Sequence, residues 1–155
     1  MAGLNWSNQI MSKFSRVLLS GLAIAAVLAA QPARAETMSF RADLKAASEV
    51  PPTTSQGTGT VTAMYDTASK VLAWRGTVAG LSGNATAAHF HGPAEAGKNA
   101  GVMIPAPGAA TGSFEGTASL TDDQAKALLA GDTYFNVHTA ANPGGELRGQ
   151  VVKAQ

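Results

Sequence analysis

The chain has 155 residues, 45% of them hydrophobic and only 14% charged, with 11 basic residues against 10 acidic ones. It contains no cysteine, which excludes thiolate catalysis, thiolate metal ligation and disulfide staples, so a metal site must draw on His, carboxylate or Met. No basic cluster breaks the near-neutral balance, which argues against nucleic acid as a partner.

Lys13 and Arg16 precede a run of small and apolar residues, Val17–Ala30, and Ala33-Arg34-Ala35 offers an A-x-A cleavage site. That order predicts a secretory signal peptide over residues 1–35, cleaved after Ala35. The run is shorter than the roughly 20 residues a membrane span needs, and no second apolar stretch follows, so no span is expected after cleavage. Residues 1–10 are uncharged, which makes Met11 the more conventional start of such a leader. The expected location is periplasmic or secreted. Residues 36–155 then form one domain with eight basic and ten acidic residues, long enough to bury a core.

This domain reads as short strands separated by turn residues. Met38, Phe40, Ala42 and Leu44 alternate with Ser39, Arg41, Asp43 and Lys45, a strand with one buried face. Glu49-Val50-Pro51-Pro52 breaks it, because proline cannot donate to a ladder. Residues 57–65 alternate again, with Val61, Ala63 and Tyr65 on one face. Asp66-Thr67-Ala68-Ser69 is the turn of a hairpin to a strand over 71–78 that carries Leu72, Trp74 and Val78. Strands over 85–91, 102–104 and 112–120 follow, bounded by Gly80–Gly83, Gly92-Pro93 and Pro105–Gly108.

One helix is expected over 121–130. Thr121 and Gln124 are spaced as a capping box, Asp122 and Asp123 suit the positive end of the helix dipole, and Gly131 is a natural stop. Ala125, Leu128 and Leu129 form its apolar stripe. Strands over 134–139 and 146–153 complete the chain. The fold class is all-β: an antiparallel Greek-key sandwich or barrel of about seven or eight strands with one short helix.

All three histidines lie on these strands. In an extended chain His89 and His91 share a face that excludes Phe90, and Tyr134, Asn136 and His138 share a face that excludes Phe135 and Val137. Two imidazoles at such spacing sit about 6–7 Å apart and can converge on one ion, and a third on a paired strand completes a three-nitrogen set suited to Cu(II) or Zn(II). The other reading is that each ring only hydrogen-bonds a neighbour such as Asn136, Tyr134 or Glu49. Arg148 with Glu146 is a further candidate: it either guides an anion toward the histidines or pairs with Glu49, tying the loop at 49–52 to the last strand. No Gly-x-Ser-x-Gly setting surrounds Ser82, Ser113 or Ser119, and Gly57-Thr58-Gly59 lacks the helix a phosphate cradle needs.

Glu49-Val50-Pro51-Pro52, Gly57-Thr58-Gly59, Ala88-His89-Phe90-His91-Gly92-Pro93 and Tyr134–Val151 together resemble the CHRD domain, named for chordin. In bacteria such domains stand alone after a signal peptide. In animal chordins they repeat within extracellular proteins that bind growth factors, which implies a binding module for a protein or polysaccharide partner as one alternative.

Leu72-Ala73-Trp74-Arg75-Gly76, Gly80-Leu81-Ser82 and His89-Phe90-His91 are also similar in order to the Cu/Zn superoxide dismutases. That resemblance implies copper ligation by His89, His91 and His138, with Arg148 at the place of the substrate-guiding arginine. The bridging histidine, the zinc-loop ligands and the disulfide of those enzymes have no counterpart here, so a zinc site of that type is excluded. The expected function is an exported protein that binds a metal ion through His89, His91 and His138, with copper preferred and zinc as the alternative, its role being either metal binding itself or redox chemistry on a small molecule. No activity is assigned from the sequence.

Overall fold

The computed structural model describes residues 35–108 and 112–154. The expected signal peptide lies outside them, apart from Ala35.

Alternation decides the strands. β1 (Thr37–Lys45), β2 (Thr58–Asp66) and β3 (Val71–Ala79) each bury every second residue, Phe40, Ala42 and Leu44 in the first, Val61, Ala63 and Tyr65 in the second. β4 (Ala85–His91), β5 (Val102–Pro105), β6 (Ser113–Ser119), β7 (Tyr134–Thr139) and β8 (Leu147–Gln150) follow, and a two-residue β9 (Val152–Lys153) pairs with β1. The ladder order is β5-β4-β7-β8-β1-β2-β3-β6, antiparallel throughout.

Chain length forces this sheet to curl. β3 and β4 lie five strand intervals apart in the ladder, about 24 Å if flat, yet residues 80–84 join them with a reach of about 20 Å. The link from β5 to β6 joins the two edge strands in the same way. The result is an eight-strand, nearly closed barrel. Its core holds Phe40, Leu44, Leu72, Phe135, Val137 and Leu147, with Phe90 edge-on to Trp74 and Phe135 at centroid distances of 5.2 and 4.8 Å. Such aromatic pairs add to the burial term, which dominates in a domain without disulfides.

Two glycines are dictated by this core. Trp74 lies opposite Gly116 and Phe114 opposite Gly76, and each ring covers the bare Cα of its partner so closely that a Cβ there meets ring atoms. Gly116→Ala is expected to destabilise the barrel by about 1–3 kcal/mol, read as a lower thermal midpoint, because Trp74 must leave its position. An unchanged midpoint contradicts this.

The helix α1 (Asp122–Ala130) forms where its caps require. Thr121 Oγ1 accepts from the Gln124 N–H, Gln124 Oε1 accepts from the Thr121 N–H, and Gly131 stops the helix at φ 82°. Gln124 Nε2 also donates to the Met103 carbonyl and so ties the helix to β5. The expected apolar stripe needs one correction. Ala125 and Leu128 are buried, but Leu129 is 36% exposed, and Ala127 takes the inner place. Among the described residues no helix is long and apolar enough to cross a membrane.

Candidate metal centre

Strand register builds the centre. β4 turns Ala88 and Phe90 into the core and His89 and His91 outward, and β7 turns Tyr134, Asn136 and His138 to the same outer face. His89 lies opposite Asn136 and His91 opposite Tyr134, while His138 stands one step further, opposite Ala87. β8 extends the lattice with Arg148 opposite Asn136. The three imidazoles therefore meet on diagonals, with centroid distances of 5.0 Å for His89–His138, 5.5 Å for His89–His91 and 6.3 Å for His91–His138.

Two loop carbonyls fix which nitrogens remain available. His91 Nδ1 donates to the Ala100 carbonyl and His138 Nδ1 donates to the Pro143 carbonyl, each at 3.0 Å. A carbonyl only accepts, so both rings carry the proton on Nδ1 and keep a lone pair on Nε2. This arrangement is the one that orients metal-ligating imidazoles. His89 Nδ1 lies 3.1 Å from His138 Nε2, and donates to it when no ion is bound. That separation also matches two nitrogens held at about 2.0–2.1 Å from one ion with an angle near 100° between them. One candidate ligand atom from each ring lies within 4.8 Å of the other two, so one point exists within about 2.8 Å of each, and the group could hold a metal ion.

The electrostatics favour neutral rings. Burial, and then the neighbouring histidines, hold the His89 pKa below its ordinary value, while burial depresses His91 against the opposing hydrogen bond to Ala100. His91 Nε2, Asn136 Oδ1 and Glu49 Oε1 are all buried without a hydrogen-bond partner. Two further atoms, Trp74 Nε1 and Thr133 Oγ1, share that condition among the described residues, and unpaired buried polar atoms are ones that a ligand or an ordered water can satisfy. The residues present thus fit a cation.

Arg148 and Glu49 do not form the expected fork. The ion pairs among the described residues are Arg41–Asp43 and Lys70–Asp122. Arg148 instead donates to Asn99 Oδ1 at 2.8 Å and to the Lys98 carbonyl, with its guanidinium carbon 3.4 Å above the Tyr134 ring. Tyr134 in turn stacks on His91, 4.8 Å away with the planes 4° apart. Only 2% of Arg148 is exposed, so it presents no face to a dissolved anion. Asn99 Nδ2 donates to the Val50 carbonyl, and through it the arginine ties the loop at 49–50 to β8 indirectly. Burial pushes the Glu49 pKa up, opposed by the Arg148 charge, the Val50 N–H and the Asn136 amide.

Glu146, named from the sequence only as a companion of Arg148, has a large role of a different kind. Glu146 is fully buried, and its carboxylate accepts from Ser55 Oγ, the Ser82 N–H, Ser82 Oγ, Thr139 Oγ1 and Asn142 Nδ2. Nothing local announces that Ser55 and Ser82, on separate connections, converge on it.

A nearly closed antiparallel barrel with three convergent imidazoles on two adjacent strands defines a small β domain with a candidate metal centre. The chain belongs to the CHRD domain family, whose model matches residues 40–151. A comparison with curated proteins finds no match.

Proposed function

We propose that this CHRD-domain protein is an exported metal-binding protein that holds one copper ion through His89 Nδ1, His91 Nε2 and His138 Nε2. The observation that carries the reading is the convergence of three ring nitrogens, two of them presented by Nδ1–H bonds to backbone carbonyls. Imidazole sets without thiolate or carboxylate suit Cu(II) and Zn(II), and the intrinsic affinity order favours copper. The ion, when bound, supplies one-electron redox chemistry or Lewis acidity. The chain's own contribution is to fix the ligand tautomers and keep the rings neutral. The leader-like N-terminus supports an extracytoplasmic location, where such an ion is met outside the reducing cytosol.

Titration of the metal-free protein with Cu(II) and with Zn(II) tests this. One tightly bound equivalent and a Cu(II) electron paramagnetic resonance spectrum with nitrogen couplings are expected. Absence of stoichiometric uptake overturns the reading and leaves a metal-independent module for a protein or polysaccharide partner.

The pH dependence has a definite sign. Protons compete only where imidazoles charge, and His89 and His91 charge below the ordinary 6.5. Proton competition at these two ligands therefore sets in at lower pH than at ordinary imidazoles, and uptake falls as the pH is lowered into the acid range. Loss of affinity setting in well above the ordinary 6.5 contradicts the neutral-ring geometry.

A further inference from the structure

Asn136 occupies the centre of the outer-face lattice. It is 3% exposed, lies opposite His89 on one side and Arg148 on the other, and precedes His138 by two residues on the same face. The orientation of its amide follows from Gly145. A Cβ at Gly145 would stand 2.8 Å from Asn136 Nδ2 and collide with Glu49 Oε1, so the amide nitrogen and the Glu49 carboxyl crowd together over that bare Cα. A carboxyl group draws the NH2 end of an amide toward itself and turns the oxygen the other way.

Asn136 also stands on the diagonal from His91 across the β4–β7 pair. Asn136 Oδ1 and His91 Nε2 are both acceptors, both buried and both without a donor. A cation between them satisfies the two together. We infer that Asn136 Oδ1 is a fourth contact of the metal centre, held in that role by Glu49 behind its amide. The inference rests on the three-histidine reading and extends it from an all-nitrogen set to three nitrogens and one oxygen, which both Cu(II) and Zn(II) accept. Gly145 has its own part, because any side chain there would push Glu49 and the amide out of register with the histidines.

The test compares metal-free wild type, Asn136→Leu and Asn136→Asp, each titrated with Cu(II) and with Zn(II) alone and checked for folding by circular dichroism. Asn136→Leu keeps the branched four-atom shape of the side chain and removes the oxygen. Its expected effect is a loss of about 10–100-fold in affinity with the nitrogen couplings of the Cu(II) spectrum retained. Asn136→Asp replaces a neutral oxygen with an anionic one and is expected to bind more tightly than wild type. Wild-type affinity in both variants overturns the inference. If Asn136→Leu fails to fold, wild-type affinity in Asn136→Asp alone overturns it. No uptake by wild type, or unchanged uptake in His89→Ala/His91→Ala, is a different outcome that removes the three-histidine reading itself.

Discussion

Exchanging His89 and His91 together for alanine abolishes stoichiometric metal uptake while the barrel stays folded. Structural zinc sites bind with about 10–16 kcal/mol spread over four ligands, or roughly 3 kcal/mol for each. Losing two ligands therefore weakens binding by about four orders of magnitude, beyond the range of an ordinary titration. The fold survives because both side chains lie on the outer face of β4, whereas the core contacts of that strand come from Ala88 and Phe90. A residual site of normal affinity in the double variant locates the metal elsewhere. The single change His138→Ala adds a useful contrast. It removes one ligand and also the hydrogen bond to the Pro143 carbonyl, so loop 140–146 loosens as affinity falls.

Replacing Glu146 with alanine is the second large expected effect, and it acts on stability. Five donors from four residues lose their acceptor, the one from Thr139 buried and the other four part-buried. Stranded buried donors cost about 1–3 kcal/mol each, and partial relaxation brings the total to about 3–5 kcal/mol. That corresponds to a fall of about 10 °C or more in the thermal midpoint of a domain this size. The carboxylate has no cationic partner; hydrogen bonds from Ser55, Ser82 and Thr139 outweigh the opposing effect of burial and hold its pKa down to about 2 from 4.5. A depressed folded-state pKa means stability that is fully present above 4.5 and lost as pH falls through about 2. Glu146→Gln flattens this acid limb. An acid limb identical to that of wild type shows that another carboxylate carries it.

Most of the strands were legible because one-sided burial writes a two-residue period into the chain. The period in 57–65 and 71–78 and the turn at Asp66–Ser69 sufficed to predict the β2–β3 hairpin, which the register confirms with each strand within a residue of its expected bounds. The capping box at Thr121 and Gln124 was equally local and formed as expected. Leu129 was misassigned to the inner face because a nine-residue helix has too few turns for spacing alone to fix which side is covered. The Arg148–Glu49 fork failed for a related reason. Opposite charges in one neighbourhood predict attraction, but Asn99 and the Lys98 carbonyl reach the guanidinium, and the Tyr134 ring covers its face.

By itself the sequence determined the strand and helix positions, the absence of thiol chemistry, and the placing of His89 with His91 and of Asn136 with His138 on common faces. These follow from neighbours one to four residues apart, whose relative directions are set by backbone geometry. Only the tertiary structure decided that β4 and β7 lie side by side, that the carbonyls of Ala100 and Pro143 select the ligand nitrogens, and that Ser55, Ser82 and Thr139 meet at Glu146. Those are contacts between distant segments. Their pairing depends on how far each connection can reach once the sheet closes, and no local period in the chain encodes that.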